Sequence, residues 1–125
     1  GVSRTSKTPT SIYLANRGYK TLNIPLVGDQ TIPIFLKEES NKLCVVGLVV
    51  EASRLSDIRT NRLEIMKEIN IPNYSNLEFV QQELENSKKL FKKYNWPIID
   101  VTRKSVEETA ASVIKICEIK KRQKL

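Results

Sequence analysis

Leu43-Cys44-Val45-Val46-Gly47-Leu48-Val49-Val50 is an unbroken apolar run, rich in valine and free of charge. A strand wetted on one side alternates polar and apolar residues, whereas a strand covered on both faces reads as continuous branched aliphatics. The run therefore predicts a central strand of a parallel sheet with helices on both faces. Toward the C-terminus, Ser53 offers an N-cap to a helix carrying Leu55, Ile58, Leu63, Met66 and Ile69 at helical spacing. Ser75 and Glu78 have the spacing of a capping box ahead of a longer helix, whose apolar stripe runs through Leu77, Val80, Leu84, Phe91 and Tyr94. Asn95-Trp96-Pro97 breaks that helix, and Pro97-Ile98-Ile99 reads as a short buried strand. Ser105 and Glu108 repeat the capping box before a last helix burying Val106, Ala110, Val113, Ile114 and Cys117.

Toward the N-terminus, residues 28–41 read as a connection with one helical turn near Phe35. Residues 19–26 alternate enough for a strand, which Pro25 ends. Pro9 and Gly18 bracket a short helix through Ile12, Tyr13, Leu14 and Ala15. Strands alternating with helices imply an α/β fold with a parallel sheet.

A chain of 125 residues is expected to form one domain with a core of its own. The net charge of +7 suits phosphate-bearing partners. Part of it is local: Lys120, Lys121, Arg122 and Lys124 give residues 120–125 the character of a solvated basic tail after a domain spanning 1–119. Cys44 and Cys117 each sit in apolar surroundings and read as small buried hydrophobes, with no disulfide framework expected. With no histidine and no Cys-x-x-Cys pair, a zinc site is excluded as an expectation, and so is the commonest general base. No apolar run reaches the roughly 18 residues of a membrane helix. Positive charge without interleaved aromatic residues gives no nucleic-acid signature. The expected setting is cytoplasmic, with no membrane and no nucleic acid as partner.

The chemistry is concentrated in Gly1-Val2-Ser3-Arg4-Thr5-Ser6-Lys7-Thr8. Set against the phosphate-binding pattern G-x-x-x-x-G-K-S/T, Gly1, Lys7 and Thr8 match and Ser6 replaces the second glycine. In such a loop successive backbone N–H groups turn inward as a nest for phosphate oxygens, and the next helix adds its positive N-terminal end. The lysine meets the outer phosphates, and the hydroxyl at Thr8 is placed to ligate Mg²⁺. Serine at the glycine position gives up easy access to positive φ. The pattern predicts a fold of the P-loop-kinase type, lacking the strand that should precede the loop, and hence a fragment of a longer protein.

Other candidates are set by position. Asp100 follows the second strand, and ligand-facing residues of parallel sheets sit at the C-terminal strand ends. A carboxylate there can hold a metal through water or accept a proton from a hydroxyl. The plain alternative is a strand-end turn. Arg54, Arg59 and Arg62 offer forks for phosphate, against the plain alternative of a solvated helix face. Arg103 and Lys104, beside Asp100, are weighed the same way. Glu51, at the end of the central strand, is read as structural before acid or base.

Gly1–Pro9, the following Ser11-Ile12-Tyr13-Leu14-Ala15-Asn16-Arg17-Gly18-Tyr19-Lys20, the pairs Gly47-Leu48, Arg54-Leu55, Ile58-Arg59, Arg62-Leu63 and Trp96-Pro97, and the stretch Ile99-Asp100-Val101-Thr102 with Ser105-Val106-Glu107-Glu108-Thr109-Ala110 together resemble the regulatory proteins of pyruvate, phosphate dikinase and of phosphoenolpyruvate synthetase. The resemblance covers nearly the whole chain and corresponds to the C-terminal, nucleotide-binding half of that family. It implies a bifunctional enzyme: an ADP-dependent kinase that phosphorylates a threonine of the dikinase or synthetase, and a phosphorylase that removes that phosphate with inorganic phosphate, releasing pyrophosphate. The implied partner is the dikinase or synthetase bearing a phosphohistidine, and a homo-oligomer is left open. Carried over, Gly1–Thr8 bind ADP with Lys7 on the phosphates, Asp100 is the base, Arg59, Arg62 and Lys104 are weaker phosphate contacts, and Mg²⁺ accompanies the nucleotide. Glu51-Ala52-Ser53 stands where the family tends to show Asp-Pro and an acidic residue, and Lys104 where arginine is common. A catalytically inert nucleotide-binding module is the competing reading.

Overall fold

The computed structural model describes residues 1–2, 5–26, 36, 43–66 and 75–123, with backbone only for 63–66 and 122–123. In chain order the elements are α1 (Lys7–Asn16), β1 (Gly47–Val49), α2 (Ala52–Met66), α3 (Leu77–Lys93), β2 (Ile98–Asp100) and α4 (Val106–Gln123). β1 and β2 pair in parallel, Gly47 opposite Ile98, Leu48 opposite Ile99 and Val49 opposite Asp100. α3 packs on β1 and on α2, while α1 packs on α4. The fold is α/β, as the central apolar run predicts.

Every residue of β1 is buried. The strand is shorter than the run that announces it: Leu43 and Cys44 are exposed, and the ladder ends where the three-residue β2 ends. Leu48 and Val50 join Ile99, Val101, Leu55 of α2 and Val80 and Leu84 of α3 in one apolar cluster, which Val113 and Ile116 of α4 complete. Val49 lies in a second cluster with Phe91, Trp96 and Leu36. A Cβ at Gly47 would come within 2.4 Å of the Phe91 ring, so only glycine lets α3 lie this close to the strand.

Helix termini show how far the capping signals reach. Gly18 takes φ +91°, its N–H reaches the Ala15 carbonyl (3.0 Å), and the Tyr19 N–H reaches that of Leu14 (3.1 Å). This pair of bonds is a Schellman ending. Ser105 caps α4, its hydroxyl accepting from the Glu108 N–H at 3.1 Å. Two expectations shift. α3 is capped by Asn76, whose side chain accepts from Phe79 N–H (3.1 Å), and not by Ser75. Asn and Ser cap about equally well, and here Ser75 instead lends its carbonyl to the Ser56 hydroxyl. α2 starts before Ser53, with the Leu55 N–H on the Glu51 carbonyl (3.0 Å) and the Ser53 hydroxyl donating to the Glu51 carboxylate (2.9 Å). On α3 the buried stripe is Val80, Leu84, Ser87 and Phe91; Leu77, one turn outside the core, is exposed.

Residues 19–26 make a single parallel bridge, Leu26 with Val2, and not a regular strand. The side chains of Leu63 and Met66, the residue Ile69 and the predicted turn near Phe35 lie outside the described residues. The cysteines are the clear correction. Cys44 is exposed, and it forms a disulfide with Cys117 (Cα–Cα 5.6 Å) that ties the segment before β1 to α4. Cys44 stands near the start of one apolar stretch and Cys117 near the end of another, and an apolar pattern does not tell a buried thiol from a bonded one.

Candidate functional site

The loop into α1 is held from within. Thr5 is buried, and its hydroxyl donates to the Val2 carbonyl at 2.8 Å. The Lys7 ammonium donates to the same carbonyl at 2.5 Å. Gly1 lies against β1: a Cβ there would come 2.5 Å from Thr5 Oγ1 and 2.7 Å from the Leu48 carbonyl oxygen. Val2 is part of the main core cluster. The chain ahead of α1 therefore starts in the core, and Thr5 and Lys7 both bond back to the Val2 carbonyl.

Ser6 carries the decisive backbone feature. It stands at φ 63°, ψ 24°, in the left-handed region, as the residue before α1, and its carbonyl takes the first helical bond from Thr10 N–H (3.1 Å). This is the position the pattern gives to glycine, and its conformation is the one glycine reaches without cost. A serine here carries about 1–2 kcal/mol of strain. Its side chain makes no cap bond, and no acidic residue occupies the first turn of α1. The positive end of the helix is thus not neutralised by its own sequence. The Thr8 hydroxyl accepts from the Asn23 amide at 3.0 Å on an exposed surface, leaving a hard oxygen of the kind Mg²⁺ takes. Ser3 and Arg4 lie outside the described residues.

A second constellation gathers at the C-terminal strand ends. The Asp100 carboxylate accepts from the Thr102 N–H (2.9 Å) and from the Thr102 hydroxyl. That hydroxyl in turn accepts from the Glu51 N–H at 2.8 Å, linking the exits of β1 and β2. The Thr102 hydroxyl, before all, holds the Asp100 carboxyl below its usual range; the Thr102 N–H and the charges of Lys88 and Lys104 act the same way, and partial burial opposes them. Asp100 is thus an exposed carboxylate, ionised at neutral pH. Thr102 carries the site as much as Asp100 does, and sequence reading gave it no role. The Asp-x-Thr spacing of a side chain bonding the backbone two residues on is the signal that points to it.

The arginines separate. Arg59 is 1% exposed and forks onto Glu83 of α3, with nitrogen–oxygen distances of 3.1 and 3.0 Å. Its guanidinium joins α2 to α3, facing a carboxylate within the helical layer. Arg54, Arg62, Arg103 and Lys104 are exposed, and Lys104 is close enough to Asp100 to act on its charge. Glu83, 24 positions along the chain from Arg59, carries no local signal of the pairing. Among the described residues no His, Cys, Asp and Glu cluster could hold a metal ion, and no helix is long and apolar enough to cross a membrane.

The chain is thus an α/β unit whose first helix is entered through a left-handed residue, Ser6. A family model described as kinase/pyrophosphorylase matches residues 1–114. The chain belongs to that family. It is 64% identical over 121 residues to a protein named as a pyruvate, phosphate dikinase regulatory protein from Pelagibacter ubique, covering 97% of this chain and 44% of that one. Proteins of the same name from Bartonella bacilliformis (48% over 125 residues, 100% of this chain and 44% of that one) and Anaplasma phagocytophilum (54% over 114 residues, 91% and 40%) are similar to it as well. The chain spans less than half the length of these relatives. No solved structure matches it.

Proposed function

We propose that the chain is the nucleotide-binding part of an ADP-dependent threonine kinase and phosphate-dependent phosphorylase acting on pyruvate, phosphate dikinase or phosphoenolpyruvate synthetase. The observation that carries this reading is Ser6 in the left-handed conformation between Gly1 and Lys7, at the unneutralised start of α1. In the forward direction the threonine oxygen attacks the β-phosphorus of ADP, the bridging bond breaks, and AMP leaves. In reverse an oxygen of inorganic phosphate attacks the phosphothreonine, and pyrophosphate leaves with the threonine hydroxyl restored. Both steps pass charge to non-bridging oxygens, which a lysine and a helix N-terminus stabilise by position more than by chemistry.

In this reading Lys7 exchanges the Val2 carbonyl for phosphate oxygen when nucleotide enters. Thr8 is the residue toward Mg²⁺, which when bound neutralises charge on the phosphates. Asp100 receives the proton of the attacking hydroxyl or phosphate. Its lowered pKa keeps it deprotonated, and phosphoryl transfer asks little basicity of such a group. Arg62 and Lys104 are exposed cations available to an incoming phosphate, whereas Arg59 already serves Glu83. The test is transfer of labelled β-phosphate from ADP to the dikinase by a protein of the family's full length, with phosphate-dependent release of pyrophosphate. Loss of both reactions in Asp100→Asn with ADP binding intact supports the base. Retained transfer with an unchanged pH profile removes Asp100 from the mechanism.

A further inference from the structure

The Cys44–Cys117 disulfide takes up both cysteines of the chain and joins residues 73 positions apart, yet it lies outside the core. Neither cysteine belongs to either apolar cluster, and Val45 and Val46 only pack against their margins. The β1 ladder begins at Gly47, whose N–H is on the Pro97 carbonyl at 2.8 Å. Residues 43–46 run ahead of it with no strand partner among the described residues. The disulfide holds this stretch to α4, and beside it the Lys120 ammonium donates to the Leu43 carbonyl. Leu43, Val45, Val113 and Cys117 line a cavity of about 400 Å³ that Lys7 lines as well. The bond is therefore part of a cavity wall and no part of the ladder or the clusters.

Cys44 is exposed and Cys117 half-buried, so a thiolate in solution has access to Cys44 without unfolding the chain. Exposed disulfides are the labile ones. Lys120 and Lys121 follow Cys117 by three and four positions on α4, and cations one turn away favour its sulfur as the departing thiolate. We propose that Cys44–Cys117 is a thiol–disulfide exchange site, opened by a dithiol reductant to release residues 43–46 from α4. One thiolate of the reductant attacks Cys44 Sγ, the bond between the two cysteines breaks, and Cys117 leaves as a thiolate that takes a proton from water. The reductant's second thiolate then attacks its own sulfur in the mixed disulfide and frees Cys44, which is protonated in turn. The reductant ends as a disulfide, and two electrons and two protons have passed to the protein. Exchange with an oxidised partner of the same class runs the sequence backward. The opened state keeps both apolar clusters and the β1–β2 ladder, and what changes is the wall between β1 and α4. The inference goes beyond the kinase reading and does not depend on it.

The test reduces the folded chain with dithiothreitol, traps the thiols by alkylation and counts them by mass spectrometry. Reduction is expected within about tenfold of its rate in concentrated urea, because attack at Cys44 needs no unfolding. NMR relaxation then reads the release. Backbone order parameters of residues 43–46 are expected to fall from about 0.85 to below about 0.6, with those of Leu48 and Ile99 unchanged. Cys44→Ser and Cys117→Ser should show the same local loosening with no reductant present, and glutathione disulfide should restore both bond and order to the reduced parent. Reduction more than about tenfold slower than in urea, unchanged order at 43–46, or loss of the helical circular dichroism on reduction overturns the proposal and leaves the bond a structural staple.

Discussion

The loop into α1 and the layer of β-strand exits and helices beyond it both carry polar residues that the sequence marks for phosphate, yet they spend them differently. In the loop the polar groups act on the backbone: Thr5 and Lys7 share the Val2 carbonyl, and Ser6 bends left-handed to start the helix. Beyond it, side chains satisfy side chains: Arg59 takes Glu83, and Asp100 takes Thr102. The lesson is that spacing reports backbone conformation well where the bonds are local, and side-chain pairing poorly where a distant side chain claims the same group. The bond of a part-buried lysine to a backbone carbonyl is a modest one. A buried guanidinium on a carboxylate is costly to displace, because parting them strands a charge in the interior.

The largest expected effect tests that contrast directly. Arg59→Ala leaves Glu83 without its fork and should cost about 3 kcal/mol in urea unfolding, the low end for a broken buried pair because Glu83 keeps some solvent. The double change Arg59→Leu with Glu83→Leu should recover most of it. If Arg59→Ala is neutral in stability but weakens phosphate binding, the division between the two regions fails. Next comes Lys7→Ala in a protein of full family length, expected to lower transfer on the order of a hundredfold while leaving the unfolding midpoint nearly unchanged. Ser6→Gly sharpens the loop's side. Relief of about 1–2 kcal/mol of left-handed strain, set against about 0.4–1 kcal/mol from a freer unfolded chain, should leave a gain of roughly 0.5 kcal/mol. Ser6→Val should instead destabilise.

The smallest effect concerns Asp100. Its pKa is depressed in the folded state, so its contribution is present above the ordinary carboxylate pKa and disappears as pH falls through the folded value. The group is exposed, so the amplitude is well under 1 kcal/mol. Thr102→Val removes the main cause, and an NMR titration should show the Asp100 pKa rising toward its usual range.

Much of the fold was legible because its signals are local. An uninterrupted apolar run over 43–50 marks the buried strand, and Ser105 and Gly18 mark helix ends through bonds within a few residues. At the start of α1 the local pattern puts glycine where Ser6 stands, and Ser6 takes the left-handed conformation that glycine favours. Three features were not legible. The Asn76 cap competes with an equally plausible Ser75 next to it. The Cys44–Cys117 bond and the Arg59–Glu83 pair join residues 73 and 24 positions apart, where no periodicity or spacing records which groups will meet.

The central claim is that the turn from Gly1 to Thr8 receives the phosphates of a nucleoside diphosphate. Calorimetric titration of ADP, with Mg²⁺ present, into the chain and into Lys7→Ala tests it most directly. The account predicts saturable binding of ADP by the parent chain, weakened at least tenfold, or about 1.4 kcal/mol, in Lys7→Ala. Equal ADP affinity in the two folded proteins would contradict it.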